Sequence, residues 1–177
     1  MSEDNGQLMN AIAGSEELEI FKTDLIKDLI DYKWNTYAQA QHRFGAIVHM
    51  TYVVVLMSYI SKIFLQESNY DAQGIRINPD PDNFLLVIIM GCLVYPLLYD
   101  GTQMLKQGAD YLSDSWNYLD MIHISLGYYN VYCQWSQGTW ELKSKITMIV
   151  VILVCLMKTF FFMRIVKSFS YIVTMII

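Results

Sequence analysis

Four runs of mainly apolar residues divide the chain, at 44–65, 84–105, 116–135 and 146–167. Each is near the roughly 20 residues that a helix needs to cross the hydrocarbon of a bilayer. The first, from Phe44 to Leu65, is interrupted only by mild polar groups, His49 and Lys62. Lys62 lies near the end, where a long side chain can reach water. The second is strongly apolar from Phe84 to Leu98 and runs on to Leu105; Pro96 is expected to kink it or loosen a turn. The third is the least hydrophobic and carries Asn117, Asp120, His123, Ser125 and Asn130. A span this polar is expected to turn its polar stripe into a bundle. The fourth has few polar groups from Ile146 to Met157, then Lys158, Arg164 and Lys167 among Phe160, Phe161, Phe162, Ile165 and Val166. Loops at 66–83, 107–114 and 137–145 separate the runs, so the pattern predicts an all-α membrane protein. Its architecture is an antiparallel four-helix transmembrane bundle.

Ahead of the bundle the period changes. Residues 1–14 are polar and small and read as a flexible tail. From 15 to 43 the spacing predicts an amphipathic helix. Ser15 can cap it, Glu16 and Glu17 fill its first turn, and Leu18, Phe21, Leu25, Leu29 and Tyr32 line one face. Lys22, Asp24, Lys27, Asp28 and Asp31 line the other. This mixed charge argues against strong lipid binding by the helix alone. At the other end, 168–177 is a second amphipathic stretch that stops on apolar residues, which is expected of a cut in a longer protein.

Composition agrees with a membrane protein: 54% of the 177 residues are hydrophobic and the mean hydropathy is +0.29. The net charge of −5 gives no basic surface for nucleic acid. Cys92, Cys133 and Cys155 form no CxxC pair and read as small buried hydrophobes. No P-loop, metalloprotease motif or nucleophile–base pairing points to an enzyme. Met1 leads into Ser2, Glu3 and Asp4, so no signal peptide is expected. Lys33, Arg43, Lys106, Arg164 and Lys167 fall on one side of the threading, against Arg76, Lys143 and Lys145 on the other. That balance favours a multi-pass protein with its N-terminus in the cytosol.

This threading brings two polar couplets together at the inner face. Asp100 and Gln103 close the second run; Asn117 and Asp120 open the third. Each couplet is spaced i, i+3, so its side chains share one helix face. Three readings stand side by side. The groups are interfacial caps and salt bridges, with Asp120 pairing Lys158 or Arg164. Alternatively they bind a divalent cation: two carboxylates and two amide oxygens with water, and Tyr111 in the link as a further oxygen, suit Ca²⁺. The last reading is voltage sensing by the fourth run. Of its charges only Arg164 and Lys167 keep the three-residue step, with Lys158 two steps earlier, so the expected voltage dependence is shallow. His49 and His123 read as hydrogen-bonded interior residues.

Certain motifs resemble a known family. They are Tyr32-Lys33-Trp34 before the first run, Ser115-Trp116-Asn117-Tyr118-Leu119-Asp120 opening the third, and Met163-Arg164-Ile165-Val166-Lys167 closing the fourth. From about Ile20 onward the chain resembles the front half of a transient receptor potential (TRP) cation channel, closest in pattern to the melastatin and ankyrin branches. The resemblance implies a voltage-sensor-like four-helix domain with a Ca²⁺ site on its cytosolic side. Asp100-x-x-Gln103 and Asn117-x-x-Asp120 match the two halves of that site, and Tyr111 resembles a tyrosine near it. Asp100 stands where those branches more often carry Glu. The family's pore, two further spans and a re-entrant filter, does not occur in these residues. A regulatory role in a homo- or hetero-tetrameric channel follows, with the bilayer and a separate pore domain as partners. The alternative is a pore-less four-span accessory or scaffold subunit of a membrane complex.

Overall fold

A computed structural model describes residues 12, 15, 17–65 and 80–163, without the side chains of Leu18 and Tyr37. Residues 66–79 of the loop expected at 66–83, the charges Arg164 and Lys167, and the stretch 168–177 lie outside the described residues. All regular elements among the described residues are helical. We label the α-helices α1 (Asp24–Lys33), α2 (Gln39–Ile60), α3 (Asn83–Gln107), α4 (Ser115–Ser136) and α5 (Leu142–Met163). Among the described residues, three helical stretches are long and apolar enough to cross a membrane: Gln39–Leu65, Asn83–Ser113 and Leu142–Met163. The third predicted span falls on α4, which is 22 residues long and does not reach that apolarity.

The chain divides into two compact units, at Phe44 and Gly45 within α2. In the first, the predicted amphipathic helix is broken. A 3₁₀ turn over Leu18–Lys22 ends at Thr23, which is extended (φ −68°, ψ 134°). The Thr23 hydroxyl donates to the Ile20 carbonyl and so competes with helix continuation, a common effect of a short hydroxyl side chain. α1 then starts, and a π turn over Trp34–Ala38 follows it. No residue of α1 is buried; Leu25 and Tyr32 of the apolar face are exposed along with the charges.

In the second unit, four helices contribute to one core. Tyr52, Leu56 and Tyr59 of α2 meet Leu86, Ile89 and Leu93 of α3, Val131 of α4, and Met148, Val151 and Cys155 of α5. α4 packs against both α3 and α5. Gly127 permits the α3 contact: a Cβ there would stand 2.6 Å from Leu93 Cδ1. Outward positions are apolar too. Ile47, Val54, Phe84, Leu98, Leu105, Ile149 and Leu153 are all exposed. Such an inside-out distribution fits a hydrocarbon solvent better than water.

The expected polar stripe of α4 turns inward in part: Asn117 and Asp120 are half-buried, but Ser125 is exposed. His123, Asn130 and Gln134 are buried, while Met121, Ile122, Tyr129 and Tyr132 are exposed. α5 starts at Leu142, four residues before the predicted fourth run and inside the predicted loop. Ser144 explains the difference: it is fully buried and donates to the carbonyls of Gly138 (2.7 Å) and Cys133 (3.2 Å). Its polarity is absorbed locally, so the helix starts among residues that look like a loop. α3 continues through Pro96.

Candidate functional site

The site is built where α3 ends, turns and gives way to α4. Gly108 stops α3 with φ 58° and ψ −125°, a backbone conformation that suits glycine. Its N–H donates to the Met104 carbonyl. A 3₁₀ turn over Gly108–Ser113 then drives Tyr111 inward, where only 1% of it is exposed. Asp114 caps α4 by accepting from the Trp116 N–H at 3.0 Å. Asn117, one turn into α4, donates its side-chain N–H to the Tyr111 carbonyl at 2.7 Å. The turn and the start of α4 are thereby locked together. Trp116 packs on Phe161, with ring centroids 5.2 Å apart, which brings the end of α5 alongside.

Within this corner Asp100 is 6% exposed, and its Oδ2 is buried with no hydrogen-bond partner among the described residues. Asp120 and Lys158 lie within its electrostatic reach. The buried Tyr111 hydroxyl also lacks a partner, and it lies within electrostatic reach of both carboxylates. Asp120 Oδ1 accepts from Lys158 Nζ at 2.6 Å, so one of the pairings expected under the salt-bridge reading is formed. Gln103 has a half-buried place on α3, three residues beyond Asp100. Asp100, Tyr111, Asn117 and Asp120 therefore share one neighbourhood. Arg164 and Lys167 fall outside the described residues.

Oxygen donors of this kind are the type a hard cation takes, while no group of three His, Cys, Asp or Glu side chains forms among the described residues. Two carboxylates and a phenol oxygen lie within electrostatic reach of one another, and a buried carboxylate oxygen without a partner is costly. Asn117 donates through its amide nitrogen, which leaves its amide oxygen as a further acceptor.

Two further polar groups sit in the interior, and the sequence reading assigned them no network. Near the middle of the helices, His49 Nε2 pairs with Thr159 Oγ1 at 2.9 Å. His123 packs edge-on against Tyr52 (5.1 Å) and against His49 (5.8 Å). Its Nδ1 and the Tyr52 hydroxyl have no hydrogen-bond partner among the described residues. At the opposite end from Asp100, Tyr59 donates to Gln134 Oε1 (3.1 Å). Gln134 Nε2 in turn donates to Asn130 Oδ1 (3.4 Å) and the Ser144 carbonyl (3.5 Å). The i, i+4 spacing of Asn130 and Gln134 was the signal for this second network.

One curated protein is similar over most of the chain: a transient receptor potential cation channel subfamily A member 1 homolog from Caenorhabditis elegans. It is 24% identical over 138 residues, which are 70% of this chain and 11% of that protein. The chain thus spans about a tenth of the length of the curated relative it matches. No protein-family model matches the chain, and no solved structure matches it significantly. The similarity supports relatedness to TRP channels. Together with the three span-capable helices among the described residues, it supports a membrane protein.

Proposed function

We propose that the chain is the voltage-sensor-like regulatory domain of a TRP-type cation channel subunit, an antiparallel four-helix transmembrane bundle that binds Ca²⁺ at its cytosolic end. Asp100, Gln103, Asn117 and Asp120 supply the ligands, with Tyr111 close by. Ca²⁺ ties α3 to α4. The tie biases the stretch after Lys167, which acts on a pore outside these 177 residues, in a tetramer with its N-termini in the cytosol. The observation that carries the reading is the buried Asp100 Oδ2, which has no hydrogen-bond partner among the described residues and whose carboxylate lies within electrostatic reach of the Tyr111 hydroxyl and of a second carboxylate. Among the described residues Lys158 is engaged by Asp120 and nothing pairs with Asp100 Oδ2; a bound cation supplies that partner.

Calcium binding to the purified chain in nanodiscs, measured with CaCl₂ by calorimetry, tests this. Saturable binding that Asp100→Asn and Asn117→Ala both abolish is the expected result. Binding unchanged in both variants returns these residues to a structural role. Liposomes containing only this chain should also show no Ca²⁺ flux; a flux would contradict the separate pore.

One observation favours a second reading, a pore-less four-span accessory or scaffold subunit. The Asp120–Lys158 pair already satisfies one carboxylate internally, as a purely structural ion pair does. In the full-length transcript, two further hydrophobic spans after Ile177 support the channel, and a stop codon there supports the scaffold.

A further inference from the structure

We infer that Lys158 is a built-in competitor for the cation site, so that Ca²⁺ enters only as the Lys158 ammonium leaves Asp120. This rests on the Ca²⁺ reading above and adds its regulation. Lys158 is 6% exposed, buried deep for a lysine, and its Nζ lies 2.6 Å from Asp120 Oδ1. Asp100 lies within electrostatic reach of both. Without metal, the corner's groups among the described residues are thus two carboxylates and one ammonium, a net charge of −1. Adding Ca²⁺ while the ammonium stays makes it +1, with two cations sharing the same carboxylate oxygen. Adding Ca²⁺ while the ammonium leaves makes it neutral. In a buried site, where like charges repel more strongly than in water, the second state wins.

A resting place for the displaced ammonium already exists. Lys158 Nζ stands 6.0 Å from the ring centroid of Phe162, one turn further along α5, at the outer edge of a cation–π contact. Trp116, at the head of α4, packs on the adjoining Phe161. A swing of Lys158 from Asp120 to Phe162 therefore exchanges an α4–α5 ion pair for a contact within α5. Occupancy of the site and the grip of α4 on α5 become coupled and reciprocal. In this account α5 reports the cation without itself supplying a ligand.

Calorimetry with CaCl₂ on wild type, Lys158→Met, Lys158→Gln and Asp100→Asn separates the possibilities. Lys158→Gln keeps a hydrogen-bond donor toward Asp120 and guards against a misfolded Met variant; helix content by circular dichroism checks both. The expected result is a Kd tightened tenfold or more in the Lys158 variants, with binding lost in Asp100→Asn. An unchanged or weaker Kd in folded Lys158 variants, with Asp100→Asn still silent, overturns the competition and leaves the site standing. No binding in wild type or in any Lys158 variant overturns both. As a second readout, the ¹⁵Nζ resonance of Lys158 in ¹⁵N-lysine protein should shift with CaCl₂. A fixed resonance during saturable binding contradicts the exchange.

Discussion

The two ends of the helix interior treat polar groups in opposite ways. At one end, Tyr59, Gln134, Asn130 and Ser144 form a closed set of hydrogen bonds among α2, α4 and α5. At the other, Asp100 and Tyr111 bury polar atoms with no partner among the described residues. Burial is alike: Gln134 and Tyr111 are 0% and 1% exposed. Satisfaction is what differs. A saturated network fixes which helices neighbour one another, whereas unpaired buried oxygen stores instability that a ligand can release.

Substitutions at the two ends should therefore change stability with opposite signs. Gln134→Ala leaves the Tyr59 hydroxyl and Asn130 short of partners and opens a cavity. A loss of roughly 2–4 kcal/mol is expected from such a buried change. Asp100→Leu removes a buried carboxylate that has no hydrogen bond at one oxygen, and should raise stability by roughly 1–3 kcal/mol in the absence of divalent cations. Chemical denaturation in detergent with EDTA reads both. A destabilised Asp100→Leu would place this carboxylate among the structural groups and erase the contrast.

Between the two ends lies the α3–α4 contact at Gly127. Gly127→Ala puts a methyl group against Leu93, whose side chain is itself buried, at an expected cost of about 1–2 kcal/mol. The double variant with Leu93→Val should recover part of that loss. No recovery would mean that the loss arises elsewhere than at this contact.

The smallest effect is at the saturated end, where Asp82 caps α3. Its Oδ1 accepts from the Leu85 N–H (3.1 Å) and its Oδ2 from Lys62 Nζ (2.5 Å). Lys62 is mostly exposed, so the helix cap carries most of the effect, and Asp82→Ala should cost about 1 kcal/mol. The Lys62 hydrogen bond, followed by the Leu85 N–H, holds the Asp82 carboxyl below its ordinary value of 3.8. A depressed acid contributes fully above its unfolded pKa and loses that contribution as pH falls through its folded value. The difference between wild type and Asp82→Ala should thus be flat above about pH 5 and shrink below about pH 4. A difference that persists at pH 2 contradicts this origin.

Much of this contrast could be read from the residues, and some could not. Helices at the four apolar runs followed from hydropathy, and most of the inward stripe of α4 from Asn117, Asp120, His123 and Asn130, though Ser125, expected in it, faces out. The couplets Asp100-x-x-Gln103 and Asn117-x-x-Asp120 pointed to the corner that Asp100, Asn117 and Asp120 share, because a short link joins their helices; no contact ties Gln103 to it among the described residues. Tyr111 was singled out, yet nothing local shows that Gly108 and the 3₁₀ turn would bury its hydroxyl. Ser144 and Lys143 read as loop because a polar residue at a helix start looks the same whether water or a buried carbonyl receives it. Thr23 broke a helix that apolar periodicity predicted through it, since one hydroxyl-to-carbonyl bond outweighs a weak propensity. The choice of Lys158 by Asp120 depends on how α4 and α5 face each other, which spacing along one helix does not encode.

The central claim is that the unpaired end is a cation site, and thermal unfolding with and without CaCl₂ tests it most directly. A ligand at a hundredfold its Kd stabilises by about 2.7 kcal/mol. Wild type should therefore unfold several degrees higher in saturating CaCl₂, and Asp100→Leu, more stable in EDTA, should gain nothing from the ion. An equal CaCl₂ shift in both proteins, or none in wild type, would contradict the account.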